Sequence, residues 1–521
     1  MQKWRFTVNK FKLIVLGSFL ILFAGCAGIS EEYSGGVSSE PTDKSTAAKS
    51  DDQTLKVAFD QSINSLDPYG AHNGEPSTVL ASRQIYDTLV IKDGTDYKPR
   101  LAEEWKEKDA NTWVFKIRKG VTFHDGSPLT AEDVKYSLEQ QVNSEDSPLT
   151  VLWNDFEAVE ATNDHTLTIK TKKPMGTMLS NLSLLFITPA DSKNDDFYEK
   201  PVGSGPFKVE SFVPGESLIL TGNEDFWDGA PDLTKLEFVN IPETAARLTA
   251  LQTGEIDVTW TIPADQIAEL EQAEDIEIIK TPSYLYYFNW FNSSREPFDD
   301  PLVRRAMWHA IDTKTIVKDL FGETGEVMSS PIPKEVFGSS DMETYAYDPE
   351  LAKELLAEAG YPDGFSTSMM WSNGGGPQIL QLAETMMSYW SEIGVQVEPI
   401  QIERAEWIEK LVALDWDMDL QTNSVITGDG DYTLGRLYIS DANRNGYKNE
   451  ELDKLLIAAK ETTDQAERQK LYNQVNQIIW DEAVGIFPLE LKQIAAIRTH
   501  VEGFKPSPSD DPEFRYVSVK K

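Results

Sequence analysis

The sequence predicts a mixed α/β protein of at least two domains. Three observations carry this. The chain has 521 residues, and one hydrophobic core seldom serves more than ~250–300. Hydrophobic residues make up 40% and aromatics 10%, enough to fill large cores despite a high charge. Strand-like and helix-like segments alternate along the chain without an obvious repeat.

Thr54 to Phe59 alternates and is the first predicted strand. Trp113 to Ile117 is also strand-like. Thr130-Ala131-Glu132-Asp133 resembles a capping box and opens a helix with Val134 and Leu138 on one face. His165 to Ile169 alternates as a strand. Pro242 starts a helix carrying Ala246, Leu248 and Leu251, with Gly254 at its end. Asp300-Pro301 opens another, through Val303, Ala306 and Ala310. Asp348-Pro349 begins a third, stopped by Gly360. Gln465 to Trp480 is an amphipathic helix.

Ahead of the first strand the composition changes. Residues 1–25 hold Lys3, Arg5, Lys10 and Lys12 but no acid, and Leu13 to Ala24 is twelve residues without charge. A membrane span needs ~20 apolar residues, so this stretch reads as the core of an export signal. It ends in Leu22-Phe23-Ala24-Gly25-Cys26, and Cys26 is the only cysteine. Small residues before a cysteine resemble the bacterial lipobox, although Phe23 stands where Leu is usual. That resemblance implies a lipidated Cys26 at the mature N-terminus. A plain signal anchor is the alternative. After Cys26, the residues up to 52 are Ser-, Gly- and acid-rich and read as a flexible tether, spanning about 28 Å as a random coil.

There are 86 acidic and 48 basic residues. The net charge is −38, or −42 once residues 1–25 and their four positive charges are removed. Such charge argues against nucleic acid as a partner. One cysteine excludes an internal disulfide and any multi-cysteine metal centre. There is no Walker-type loop, dinucleotide fingerprint or Gly-x-Ser-x-Gly elbow. Five scattered histidines form no His-Glu-x-x-His, so neither a metal site nor a cofactor is expected. Asp415 to Leu420 alternates and reads as a strand with one acidic and one apolar face. Gly428-Asp429-Gly430-Asp431-Tyr432 reads as a loop. It is either an Asx-type turn or an anionic contact for a ligand amine or hydroxyl. Neither run supplies the later residues of an EF-hand loop.

Leu101 to Trp105, Trp113 to Gly126 and Thr130-Ala131-Glu132-Asp133-Val134 form one long block. Gly203-Ser204-Gly205-Pro206-Phe207 with Asn223 to Trp227 forms a second, and Leu251-Gln252-Thr253-Gly254-Glu255-Ile256-Asp257 a third. Phe298-Asp299-Asp300-Pro301 to Ala306 with Ala310-Ile311-Asp312 is a fourth. Tyr347-Asp348-Pro349, Leu355 to Tyr361 and Trp390 to Val395 extend the series. In this order they resemble the bacterial extracellular solute-binding proteins of family 5, the oligopeptide, dipeptide, glutathione and nickel type. The resemblance covers nearly the whole chain after the tether.

The resemblance implies a two-lobed α/β fold of the type II periplasmic-binding-protein kind, with an extra domain in the first lobe. The expected first lobe is 53–85, 201–285 and 486–521, the extra domain 86–200 and the second lobe 286–485. Crossings are expected near Leu285–Asn289 and Gly485–Pro488. It further implies a monomeric, non-enzymatic extracytoplasmic receptor, held to the membrane through Cys26. That receptor would enclose a peptide-like ligand by hinge closure and serve ABC permease subunits.

In peptide-binding members an Asp in the loop after a second-lobe strand pairs with the ligand amine. Asp429 or Asp431 occupies that loop, and Asp429 is preferred. Dipeptide-type members hold the ligand carboxylate with an Arg before the helix leading into Trp390. Here Asn373 to Gln381 has no Arg, which leaves glutathione-like, longer or non-peptide ligands open. The glycine run there suggests close backbone approach or a mobile lip. Trp371 ends an apparent strand, and Tyr287 and Asn289 share a strand face near the first crossing, so all three are candidate ligand contacts. A nickel, metal-chelate or oligosaccharide receptor of the same family is the alternative, and an extracellular hydrolase is the alternative of another class.

Overall fold

The computed structural model describes residues 53–190, 192 and 195–520. The expected signal segment, Cys26 and the tether lie outside them. One sheet of eleven strands runs through the molecule. Ten lie in the order Gln396–Ile402, Ser366–Ser372, Met418–Ser424, Ile276–Phe291, Gly485–Arg498, Val258–Trp260, Thr54–Phe59, Lys235–Asn240, Ser217–Gly222, Phe207–Val213. The eleventh, Gly325–Val327, pairs with Gly485–Arg498.

This sheet serves two lobes because two of its strands are long. Ile276–Phe291 has 16 residues and Gly485–Arg498 has 14, against about 5–6 in an ordinary strand. They run antiparallel, side by side. At one end Ile276 to Pro282 face Arg498 to Lys492, and Val258–Trp260 pairs beside them. At the other end Tyr286 to Trp290 face Glu490 to Gly485, and Met418–Ser424 pairs beside Leu285 to Phe291. The register breaks between Pro282 and Tyr286.

The cores change at the same place. Tyr284 and Leu491 belong to one hydrophobic core, Ala495 and Ile497 to another. The second crossing therefore falls beyond Leu491, not at Gly485–Pro488. Ile486, Phe487 and Leu489, expected in the first lobe, are buried in the second-lobe core. The strand is continuous through the crossing, so no breaker residue marks it.

In the second lobe Ser366–Ser372 pairs in parallel with both Gln396–Ile402 and Met418–Ser424. Helices Ile379–Glu392 and Arg404–Ala413 make the crossovers. Every residue from Tyr286 to Phe291 is buried, so both faces of the sheet are covered along this central strand. The acidic strand face expected at Asp415 to Leu420 is absent, because Asp415 and Asp417 precede the strand and only Asp419 lies in it. The strand is Met418–Ser424, and Asp419 is buried with Oδ1 accepting from Trp407 Nε1 at 2.8 Å. Burial pushes the Asp419 carboxyl up to about 7.

A separate antiparallel sheet orders Ala102–Asp109, Thr112–Ile117, Thr166–Thr171 and Phe156–Asn163. Helix Ala131–Asn143 shares its core, with Val134 and Leu138 fully buried. Thr130 caps this helix and its own N–H donates to Asp133 at 2.7 Å, the reciprocal pair of a capping box. Asp300 and Asp348 likewise accept from Leu302 N at 2.8 Å and Leu351 N at 2.9 Å, each just before a proline at the helix start.

Candidate functional site: the cleft between the lobes

Three parts of the chain meet around the loop that follows Met418–Ser424. On one side of it lies a cavity of about 660 Å³. Arg83 and Asp511 wall it from the first lobe, Lys92 and Leu184 from the region of the small sheet, and Tyr284 and Thr427 from the second lobe. On the other side of the loop a second cavity of about 480 Å³ is lined by Asp155 and Lys173 across from Asp431 and Lys460.

Lys92 lines the first cavity. It belongs to the strand Val90–Asp93, paired with Asp96–Pro99. Its Nζ donates to Gly428 O across the cleft and lies 4.9 Å from the centroid of the Tyr284 ring. Gly428 has φ of +60°, and a Cβ there would collide with Lys92 Nζ, so this approach requires glycine. Burial pushes the Lys92 ammonium down to about 8, opposed by the charge of Asp429.

The first-lobe wall rests on a buried ion pair. Arg83 Nε donates to Asp511 Oδ2 at 3.1 Å, and the Ser507 and Ser509 hydroxyls each donate to Oδ1 at 2.6 Å. Burial alone would raise the Asp511 carboxyl. Arg83 and the two hydroxyls outweigh it and hold the group below the usual range.

Asp429 is not a free anion. Arg468, from helix Gln465–Asp481, donates Nη1 to Oδ2 and Nη2 to Oδ1, both at 2.9 Å. Both side chains are buried, at 0% and 3% exposure. The Asp431 N–H donates to Asp429 Oδ1 at 3.0 Å, which is the Asx-type turn. The preference for Asp429 is thus corrected, because its charge is matched inside its own lobe. Asp431 is placed differently. Its Oδ1 is buried without a hydrogen-bond partner, and the residue lines the second cavity. Burial, with Asp429 nearby, pushes its carboxyl up to about 6.

Trp371, Tyr287 and Asn289 are buried in the second lobe, at 1%, 0% and 0% exposure, and line neither cavity. Alternation supposed one strand face open to ligand, whereas this sheet is covered on both, so the three are corrected to interior residues. The Tyr287 hydroxyl donates to Pro377 O. It also explains the glycine run. Gly376 has φ of +141°, and a Cβ there would collide with the Tyr287 hydroxyl, so close backbone approach is what glycine provides.

Sequence reasoning missed Arg83, Lys92 and Asp511. Only the run Ser507-Pro508-Ser509-Asp510-Asp511-Pro512 carries a signal, its turn chemistry. Lys92 is one lysine among many on a short strand, and nothing local marks it.

Two α/β lobes joined by paired crossing strands, with a cleft beside the crossing, are the architecture of a solute-binding receptor. Residues 96–445 match the family of bacterial extracellular solute-binding proteins, family 5 middle. The chain belongs to that family. It is 29% identical over 479 residues to Heme-binding protein A of Haemophilus influenzae, covering 84% of this chain and 87% of that one. It is 29% identical over 471 residues to Glutathione-binding protein GsiB of Pectobacterium atrosepticum, covering 86% and 90%. The solved structure of the ABC transporter-associated periplasmic binding protein DppA from Helicobacter pylori, in complex with peptide STSA, matches with a TM-score of 0.75 and 28% identity. That match covers 90% of this chain and 98% of the other. The fold is the two-lobed type II periplasmic-binding-protein fold, and the protein is an extracytoplasmic solute-binding protein.

Proposed function

We propose that this chain is the substrate-binding lipoprotein of an ABC importer. It captures peptides, of di-, oligo- or glutathione-like type, between its lobes and delivers them to permease subunits. The observation that carries the reading is the cavity walled by Arg83, Lys92 and Tyr284 from three parts of the chain. A ligand touching all three walls stabilises the closed arrangement over the open one, and the permease distinguishes the two. The names of GsiB and of DppA with its peptide point the same way. Cys26 carries the lipid, and the protein works as a monomer. The first lobe comprises 53–85, about 201–282 and about 492–521, the extra domain 86–200, and the second lobe the span between the crossings.

Asp431 takes the ligand amine. A carboxylate with a buried, unpartnered oxygen, on a residue that lines the second cleft cavity, gains a charge-assisted hydrogen bond from an amine reaching into that cavity, about 2–3 kcal/mol. Native mass spectrometry of the protein as isolated tests the ligand class. A co-purified peptide is expected, and a sugar or metal chelate found in its place would sink the reading. Calorimetry tests the anchor. Asp431→Asn should weaken a free-amine peptide about tenfold or more and leave its N-acetylated form unchanged. Equal loss for both would remove the assignment. Cys26→Ala should abolish labelling by a lipid precursor.

A further inference from the structure

A third cavity, of about 280 Å³, lies within the second lobe. It sits at the carboxyl ends of three mutually parallel strands. Ser372 closes Ser366–Ser372, Arg404 follows Gln396–Ile402 within two residues, and Gln421 to Asn423 lie at the end of Met418–Ser424. Carboxyl ends of strands are where open α/β sheets bind ligands.

The charge of this chamber is one-sided. Arg404, Arg436 and Arg444 line it, and no Asp or Glu does. None of the three forms an ion pair among the described residues. Arg436 Nε donates to Tyr432 O at 2.9 Å, and its guanidinium lies 4.3 Å from the Tyr432 ring centroid. Arg404 lies 5.4 Å from the Trp407 ring centroid. Arg444 Nε is buried and has no hydrogen-bond partner. Burial and the neighbouring Arg436 both disfavour the charge on Arg444. The buried acid beyond Trp407, Asp419, already accepts from Trp407 Nε1 and Gln421 Nε2. Arg436 and Arg444 also line the second cleft cavity, with Asp431.

Arg436 and Arg444, partly buried around one cavity with no carboxylate partner among the described residues, and the exposed Arg404 at its rim leave the chamber incomplete without an anion. We propose that this chamber takes a carboxylate of the bound ligand, so that the cargo is an acidic peptide, with a side-chain or additional carboxylate held by Arg436 and Arg444. This rests on the peptide reading above. Guanidinium forks match carboxylates two bonds at a time, and an anion between Arg436 and Arg444 removes their mutual repulsion. The volume admits a short carboxylate-bearing chain with a few waters.

The test is calorimetry with Gly-Glu-Gly and Gly-Gln-Gly. The wild type should bind the acidic tripeptide at least about tenfold more tightly. The double variant Arg436→Gln, Arg444→Gln should bind both within about twofold, with an unchanged melting curve. Equal affinities in the wild type, or a preference kept in the folded double variant, would overturn the inference. If the double variant does not fold, Arg404→Gln on the exposed rim replaces it and should reduce the preference; an unreduced preference counts against the inference. Glutarate separates this inference from the peptide reading. Glutarate bound by the wild type and not by the variant, with neither tripeptide bound, would remove the peptide reading and keep the anion chamber. No binding of glutarate and no acid preference would overturn the chamber itself.

Discussion

Asp429 and Asp431 lie two positions apart and behave oppositely. Asp429 meets Arg468 in a two-bond fork with both groups buried. Removing one partner strands the other charge in the interior. Arg468→Met should therefore destabilise the fold by about 3–5 kcal/mol in urea denaturation; a loss within the error of the measurement would show that the pair is dispensable. Asp431 has the reverse sign. Its folded carboxyl, at about 6, lies above the unfolded value of about 3.9. The folded state thus holds the proton more tightly, and Asp431 subtracts from stability as pH rises from about 4 to about 6. Asp431→Asn should raise the melting temperature of the ligand-free protein at pH 7, and leave it unchanged at pH 3.5. A residue that weakens the empty fold and lines a cavity fits the anchoring role proposed for it. The sequence shows that this loop is acidic and turn-forming. It does not show which acid is matched, because Arg468 is 39 positions away from Asp429.

At the scale of elements, what local chemistry decides was legible. The Thr130–Asp133 box and the Asp300 and Asp348 caps are built from neighbours in sequence, and each is found where expected. Burial of both faces of the second-lobe sheet was not legible. Helices from elsewhere in the chain supply the second cover, so Trp371, Tyr287 and Asn289 went inside. The second crossing was displaced for a related reason, since one unbroken strand passes through it. The glycine run joins both kinds of information. Its composition announces an unusual backbone, and the fold supplies the Tyr287 hydroxyl that makes a side chain impossible. Gly376→Ala should lower stability by about 1–3 kcal/mol, measured by denaturant unfolding, and a neutral effect would show that the loop can yield.

At the scale of the whole molecule, Lys92 joins the small-sheet domain to the second lobe across the cleft. Opening of the cleft would expose its ammonium, which has a value of about 8 here against about 10.4 in water. The open form therefore holds more protons between those values, and closure strengthens as pH rises from about 8 to about 10. Below about 8 the opposing term is fully present. Small-angle scattering of the ligand-free protein should show the radius of gyration falling over that interval, and Lys92→Met should flatten the change. A radius that grows with pH would rule the effect out.

The paired long strands also fix the order in which the chain can fold. The second-lobe core draws only on residues from Tyr284 to Leu491. The first-lobe core begins at Leu55 and is completed by Ala495, Phe514 and Val517. Its earliest strand, Thr54–Phe59, shares that core with residues more than 400 positions later. Contacts of such separation form late, because a long loop must close first. A chain made from its N-terminus therefore has a finished second lobe while its first lobe still waits for the last residues to arrive. Cutting the chain after Leu491 would leave the opening strand without the core that ends it.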